Sequence, residues 1–196
     1  MTSQGAVRAT RRPQSLPTGM WGMALFIAAE ATLFGTLIAT YFYTRFNSTR
    51  WPPPGVPEPK LALPLILTGV LVASTVPVFF ASRAARSGNA RLAWLLFLGA
   101  FVIQGAYLGA QIHEFVGDLG KFSPHDSAYA SIYFALLGVH HAHVALGLAL
   151  ELWLLGKLLG GLTRYRLVGV RAISMYWYFV SLLGIAVVLT QVYPAL

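Results

Sequence analysis

MWGMALFIAAEATLFGTLIATYFY, residues 20–43, is a run of apolar and small residues that a single acid, Glu30, interrupts. A helix needs about 20 mostly apolar residues to cross a hydrocarbon core of about 30 Å. Lipid offers the backbone no hydrogen-bonding partner, so a spanning run of this kind must be helical. The stretch therefore predicts a transmembrane helix with an ionisable group near its middle.

Four further runs of similar character follow, near residues 61–82, 91–115, 127–156 and 171–193. The connections are short, which makes consecutive helices antiparallel neighbours in one bundle. The longest connection contains Trp51-Pro52-Pro53-Pro54-Gly55, which proline keeps out of helical geometry. The sequence thus predicts an all-α membrane protein, a five-transmembrane-helix bundle, with a basic cytoplasmic tail at 1–19 and a single membrane domain at 20–196.

Composition supports a membrane protein and excludes several other classes. Of the 196 residues 57% are hydrophobic and 10% charged, the mean hydropathy is +0.65, and there is no cysteine. This balance is foreign to soluble domains. Without cysteine there is no disulfide framework, thiolate nucleophile or cysteine-ligated metal site. The net charge of +8 comes from cations scattered between apolar runs, which form no nucleic-acid-binding face.

The distribution of lysine and arginine predicts the orientation. Ten of the fourteen lie in the N-terminal tail and in the second and fourth connections, and the other four are Arg45, Arg50, Lys60 and Lys121. Cytoplasmic loops carry the excess of positive charge. We therefore expect the N-terminus inside and the C-terminus outside.

Glu30 is the first candidate functional residue. An ionisable group at the bilayer centre costs from about 2.5 to more than 10 kcal/mol, so it needs a partner, water or neutralisation. The small residues Ala28, Ala29 and Ala31 beside it allow another helix or a lipid to approach closely. Two interpretations stay open: a neutral carboxyl that only holds helices together, and a proton-linked group with a working role.

Three histidines in the fourth span, His140, His141 and His143, form the second candidate set. His140 and His143 are three apart and share a helix face. A metal or haem site needs further converging ligands, which the sequence does not offer, so we expect polar contacts between helices. By depth along the helices, Glu30 should meet His140, directly or through one water, with His143 as the second choice.

Polar residues near the end of the third span form a third set. Gln111 and Glu114, together with Asp126 in the following loop, are expected to form a polar cluster at the outer interface. Glu151, near the inner end of the fourth span, is expected to reach the interface or to pair with Lys157.

The order of these motifs carries a resemblance to a known family. In chain order they are Trp21-Gly22-Met23 through Glu30 to Phe34, Trp51-Pro52-Pro53 with Gly55, Gln111 with Glu114 and Phe115, Asp126 with Tyr129, Gly138 through Gly147, and Tyr176-Trp177-Tyr178-Phe179. This set resembles subunit III of the haem-copper respiratory oxidases, the cytochrome c oxidase subunit III family, in a short five-helix form. His141 stands where the family has glycine, and Tyr178, Ser181 and Gly184 stand in place of its histidine, acid and tryptophan.

The resemblance implies a non-catalytic subunit of a proton-pumping cytochrome c oxidase, a multi-pass protein of the bacterial cytoplasmic membrane. Such a subunit packs beside subunit I and near subunit II, and haem and copper lie in those partners. It binds phospholipid in a cleft and supports proton uptake and durability during turnover. The residues expected to matter are Glu30, His140 and His143 as proton-linked groups. Those expected to line the lipid cleft are Ala28, Ala29, Glu30 and Ala31.

Three alternatives remain at this point. Within the family, the second-ranked interpretations are the matching subunit of a quinol oxidase and an accessory of a nitric oxide reductase, while Glu30 favours the cytochrome c enzymes. Outside it, a small proton or ion transporter would use Glu30 and the histidines as a relay. The absence of visible repeats or pseudo-symmetric halves argues against the transporter.

Overall fold

The computed structural model describes residues 16–56 and 61–192, and that part of the chain folds into helices joined by short loops. The helices are α1 Thr18–Phe46, α2 Ala62–Ala73, α3 Thr75–Arg86, α4 Ala90–Leu119, α5 Ala128–Leu158 and α6 Arg164–Val192. Because α2 and α3 form one stretch, Ala62–Arg86, the described residues hold five stretches long and apolar enough to cross a membrane. The five predicted spans are confirmed. Most of the predicted basic tail, including Arg8, Arg11 and Arg12, lies outside the described residues.

The helices are longer than the apolar runs that predicted them, as α4 and α6 illustrate. α4 continues to Leu119 and α6 begins at Arg164, seven residues before the predicted start. The apolar run ends where charge begins, but a helix can project beyond the hydrocarbon with its cations in water. The hydroxyl of Thr163 accepts a hydrogen bond from the backbone N–H of Arg166 at 3.2 Å, which caps the earlier start of α6.

The second span is interrupted at Ser74, between α2 and α3. Pro77 has no backbone N–H, so the carbonyl of Ala73 loses its usual partner four residues on. The hydroxyls of Ser74 and Thr75 each donate to a carbonyl of the preceding turn, at 2.6 Å to Leu71 and 2.6 Å to Val72. These bonds satisfy carbonyl groups next to the helix break. The break lies inside the bundle, since Ser74 is 0% exposed.

α6 is the central helix and α1 the outermost. Among the described helices, α6 packs against α1, α2, α3 and α5, whereas α1 packs against α5 and α6 alone. The most apolar window of α6 is 61% buried and that of α1 only 6%. Most of the α1 surface therefore faces lipid or another protein.

The helix ends define the two ends of the bundle. The basic end holds the start of α1 and the α3–α4 and α5–α6 turns, with these cations: Arg83, Arg86, Arg91, Lys157, Arg164, Arg166. The opposite end holds the loop after α1, where Trp51 packs on Tyr41 and Tyr129 with ring centroids 5.3 and 4.9 Å apart. The predicted non-helical character of the proline-rich stretch is confirmed.

Candidate functional site

A polar pair joins α1 to α5 about halfway along the length of α1. The Nε2 atom of His143 lies 2.9 Å from Oε2 of Glu30. Glu30 sits about twelve residues from the start of α1, so it lies roughly 18 Å along the helix. At that depth each partner supplies the polar contact that lipid cannot give the other.

The other ring nitrogen of His143 determines how the pair shares its hydrogens. Nδ1 lies 2.7 Å from the backbone carbonyl of Val139. A carbonyl only accepts, so Nδ1 carries a hydrogen and donates it. The contact between Nε2 and Glu30 then holds one proton, either on the carboxyl oxygen of a neutral pair or on the ring of an ion pair. The pair is thus a proton-holding unit whose proton has two possible positions.

Aromatic residues enclose the pair and hold three helices together around it. Phe34, one turn after Glu30 and 1% exposed, places its ring edge-on to the imidazole of His143 with centroids 5.2 Å apart. The hydroxyl of Tyr176 on α6 donates to the backbone carbonyl of His143 at 2.9 Å. Tyr176 also stacks with Phe26 of α1 at 6.1 Å. The pair therefore lies at the junction of α1, α5 and α6.

One side of the pair is open to the surface of this chain. The side chains of Glu30 and His143 remain 20% and 10% exposed. The predicted lipid-cleft residues Ala28, Ala29 and Ala31 are exposed on α1. Ala29 and Ala31 flank Glu30 on its two sides around the helix, so a molecule packed against α1 there would contact small side chains beside the carboxyl group.

The pairing of Glu30 differs from the first expectation. His140 was the first choice and His143 the second, and the structure pairs Glu30 with His143. His140 instead lies 3.2 Å from the hydroxyl of Tyr107 on α4, and it is 2% exposed. Its ring also borders Gly184 of α6, where an added Cβ would come within 3.4 Å. His140 thus belongs to the interior between α4, α5 and α6.

A polar chain on α4 leads to His140 and includes a residue that the sequence did not single out. Gln111 donates to the hydroxyl of Tyr107 at 3.1 Å, and that hydroxyl is then free to donate to His140. His141 points elsewhere, with its ring edge-on to Phe115 at 5.4 Å. Tyr107 was not predicted because a tyrosine within an apolar run reads as part of the hydrophobic core.

The break in the second span forms another polar contact that sequence reasoning missed. The amide of Gln104 on α4 donates to the hydroxyl of Ser74 at 3.1 Å. Both residues are 0% exposed. Pro77 was the available signal, since a proline inside a spanning helix frees carbonyls that neighbouring polar groups then approach.

The predicted cluster at the opposite end forms only in part. Gln111 and Glu114 line a cavity of about 70 Å³ together with Asp118, Lys121 and Tyr133. Asp118 links this group, because its carboxylate accepts a hydrogen bond from the hydroxyl of Tyr133 at 2.8 Å and forms an ion pair with Lys121 at 2.8 Å. Asp126 does not line the cavity.

Asp126 has a local role in the loop before α5. Its Oδ2 atom accepts a hydrogen bond from the backbone N–H of Ser123 at 2.6 Å, and its side chain is exposed. It closes a turn of the loop from 120 to 127, ahead of the Ser127 cap of α5.

The expectation for Glu151 was wrong. Its side chain is 0% exposed and does not reach the interface. Lys157, the expected partner, places its ammonium over the ring of Trp153 at 5.7 Å. The reason is the packing of α6, whose Trp177 closes over this face of α5.

The chemistry available to these residues is hydrogen bonding and proton transfer. Across the described residues, no three His, Asp or Glu side chains gather in a way that holds a metal ion. The Glu30–His143 pair can bind, keep and pass a proton, and its exposed edge can receive a polar head group.

Comparison with known proteins places this arrangement in context. A family model described as Cytochrome c oxidase subunit III matches residues 5–194. The chain is 31% identical over 170 residues to cytochrome c oxidase subunit 3 of Synechocystis sp., covering 85% of this chain and 71% of the relative. It is 33% identical over 174 residues to cytochrome c oxidase subunit 3 of Gallus gallus, covering 83% and 64%.

A relative with a different name matches at similar strength. The chain is 30% identical over 172 residues to cytochrome bo(3) ubiquinol oxidase subunit 3 of Pseudomonas aeruginosa, covering 86% of this chain and 81% of the relative. The longer animal relative extends well beyond the matched region, whereas the bacterial relatives are closer to this chain in length.

Proposed function

The chain belongs to the cytochrome c oxidase subunit III family, and from this premise we propose that it is the non-catalytic third subunit of a proton-pumping cytochrome c oxidase. In this proposal it packs beside subunit I, with subunit II in the same complex, and these partners hold the haem and copper. The family match over residues 5–194 is the observation that carries the proposal.

The proposed orientation places the basic end at the cytoplasmic face of a bacterial cytoplasmic membrane. Seven of the ten lysines and arginines among the described residues fall on that side. The positive-inside rule supports this assignment.

The proposed role of the Glu30–His143 pair is to support proton uptake by the catalytic subunit. A group that holds one proton between two positions is suited to buffer or pass protons during turnover. Its partial exposure on α1 supports contact with a neighbour in the complex.

The proposed lipid site lies on the same face of α1. The α1 window is only 6% buried, so acyl chains can lie along it in a complex. Ala28, Ala29 and Ala31 permit close approach, and Glu30 offers a polar contact to a head group. The bound molecule proposed is a phospholipid.

Deletion of the subunit tests the supporting role. The remaining oxidase should keep its haems but take up protons more slowly in steady state or lose activity sooner during turnover. Loss of haem insertion would instead establish an assembly role and contradict this proposal.

A substitution within the intact complex tests the pair itself. E30Q keeps the shape of the side chain but cannot carry the exchangeable proton, so steady-state proton uptake should fall. Thr36→Val is the matched control, because Thr36 lies on the same helix, is exposed, and donates only to the carbonyl of Thr32 at 2.9 Å. Equal uptake in both variants would contradict the role of Glu30.

A quinol oxidase is the second candidate, because the Pseudomonas aeruginosa relative bears that name. Electron transfer to the purified complex decides between them. Reduction by cytochrome c supports the first proposal, and reduction by a quinol without cytochrome c supports the second.

A further inference from the structure

Glu151 is a carboxyl group that the proposed function does not use. It lies on α5 and is 0% exposed. It follows Gly147 by four residues and His143 by eight, so all three lie near one face of the helix. Eight residues correspond to about 12 Å along the helix axis. Glu151 is therefore placed between the Glu30–His143 pair and the basic end of the bundle.

The carboxyl group has no cation beside it in the described part of the chain. The ion pairs there are Lys121 with Asp118 and His143 with Glu30. The cations nearest to the basic end are exposed or half-exposed: Lys157 on α5 itself, Arg91 on α4, and Arg164, Arg166 and Arg171 on α6. A buried carboxylate without a counter-charge is far more costly than the neutral acid. Burial without a counter-charge therefore favours the neutral, protonated form of Glu151.

A donor faces this carboxyl group without bonding to it. The indole of Trp177 on α6 is the donor group beside Glu151, but no hydrogen bond joins the two. Both Glu151 oxygens and Trp177 Nε1 are buried and have no hydrogen-bonding partner among the described residues. If Glu151 lost its proton, the indole N–H of Trp177 could stabilise the resulting carboxylate by a hydrogen bond.

A cavity at the basic end begins about one helical turn from Glu151. It has a volume of about 240 Å³ and lies between the end of α5 and the start of α6. Its wall includes Leu154, three residues after Glu151 and thus about one turn nearer the basic end. Four residues of its lining have polar side chains at their ends, namely Lys157, Thr163, Tyr165 and Arg166. Leu154 itself is 0% exposed.

We propose that Glu151 is a proton-binding site that exchanges its proton with the surface of the basic end through this cavity, with Leu154 as the barrier. In the exchange, the O–H bond of the acid breaks and the proton passes to a water molecule in the cavity, which becomes hydronium. The electron pair stays on the carboxylate, which the Trp177 N–H then stabilises. The reverse step restores the acid.

The use of this site in turnover rests on the function proposed above. There, Glu151 is a proton store between the cytoplasmic surface and the Glu30–His143 pair. The binding site itself does not depend on that function, so the two are tested separately.

Infrared spectroscopy of the intact complex tests the site. The carbonyl stretch of a protonated, buried carboxylic acid should be present in the wild type and absent in E151Q. If E151Q does not assemble, Glu151→Leu gives a second variant, since an apolar side chain suits this buried position. An unchanged carboxylic-acid band in the assembled variant overturns the proposal.

Hydrogen–deuterium exchange of the same band tests the path. Leu154→Ala should speed the exchange by about tenfold or more, which corresponds to a barrier lowered by about 1.4 kcal/mol. The matched control is Leu152→Ala, because Leu152 is on the same helix but 59% exposed. Equal exchange rates in the two variants overturn the path through Leu154.

Proton uptake by the complex tests the use in turnover. Slower uptake in both E30Q and E151Q supports the store. Slower uptake in E30Q alone overturns the use of Glu151 and leaves the proposed function intact. If neither variant slows uptake, the proposed role of the Glu30–His143 pair in proton uptake fails, and the infrared band still decides whether Glu151 binds a proton.

Discussion

Among single residues, His140 and His143 lie close in depth and near one helix face, yet they meet different neighbours. They are three residues apart, a rise of about 4.5 Å, which is less than one turn. Depth can be counted from the sequence, and it correctly placed a histidine at the level of Glu30. The side of α5 that faces α1 could not be predicted from the sequence, because α5 is apolar on all its faces. The packing of α1 and α4 on α5 decides it.

The burial of Glu151 could not be predicted from the sequence either. Its position near a helix end predicted access to water, but burial depends on whether a neighbouring helix covers that face. Trp177 and Tyr176, both 0% exposed, pack against this part of α5. Their aromatic motif was visible in the sequence, and its contact with α5 was not.

A double-mutant cycle on the pair tests the contact between α1 and α5. His143→Leu leaves the carboxyl of Glu30 without its partner, so it should destabilise the solubilised protein by about 3 kcal/mol or more. The variant with Glu30→Leu as well removes both polar groups and should cost less than the sum of the single changes, with a coupling of about 0.5–3 kcal/mol. Thermal unfolding measures all four proteins, and additive costs would show that the two side chains do not interact.

Gly147 tests the fit between α5 and α6. A Cβ at this position would lie 2.9 Å from the Trp177 ring and 3.1 Å from the Tyr176 ring. Both rings are fully buried and rigid, so Gly147→Ala should destabilise the protein by about 1–3 kcal/mol. Gly99→Ala is the control, since nothing lies within 4 Å of its added Cβ, and it should be neutral or slightly stabilising. Equal thermal stability of the two variants would contradict the packing described.

Among the elements, the spans were predictable and their irregularities were not. The length of an apolar run bears directly on whether it crosses lipid, which is why all five spans were found. The break at Ser74 depends on Pro77, and spanning helices tolerate proline where neighbours satisfy the freed carbonyls. The contact between Ser74 and Gln104 depends on the packing of α4 against this span, which the local sequence does not reveal.

The polar contact at this break makes a prediction about helix packing. Ser74→Ala leaves the buried amide N–H of Gln104 without its acceptor, which should cost about 1–3 kcal/mol in the free energy of unfolding. Ser87→Ala is the matched control, because Ser87 donates to the carbonyl of Ala84 at 2.9 Å at the exposed end of α3. Its cost should be smaller. A loss for Ser87→Ala as large as for Ser74→Ala would show that the contact with Gln104 is not stabilising.

For the whole molecule, the predicted orientation can be measured directly, because the sequence contains no cysteine. Ser87 lies in the turn between α3 and α4 at the basic end, and His125 lies in the loop before α5 at the opposite end, both exposed. A membrane-impermeant maleimide added to intact cells should label His125→Cys and should label Ser87→Cys only after lysis. The reverse pattern would place the basic end outside.

The exposed surface of α1 indicates a site where a partner can pack. α1 carries the Glu30–His143 pair, yet its apolar window is only 6% buried within this chain. A spanning helix with so little contact in its own bundle is suited to pack against a larger membrane partner. The sequence indicated that partner through the order of its motifs, while the exposed face became visible only in three dimensions.

Gentle solubilisation and purification through a tag on this chain tests the central claim, that it is a subunit of a haem-bearing oxidase. The account predicts an optical spectrum with haem absorption and a subunit list containing subunits I and II. A chain that is stable alone or as a homo-oligomer, with no haem in the spectrum and no larger partner, would contradict the account and favour a small transporter.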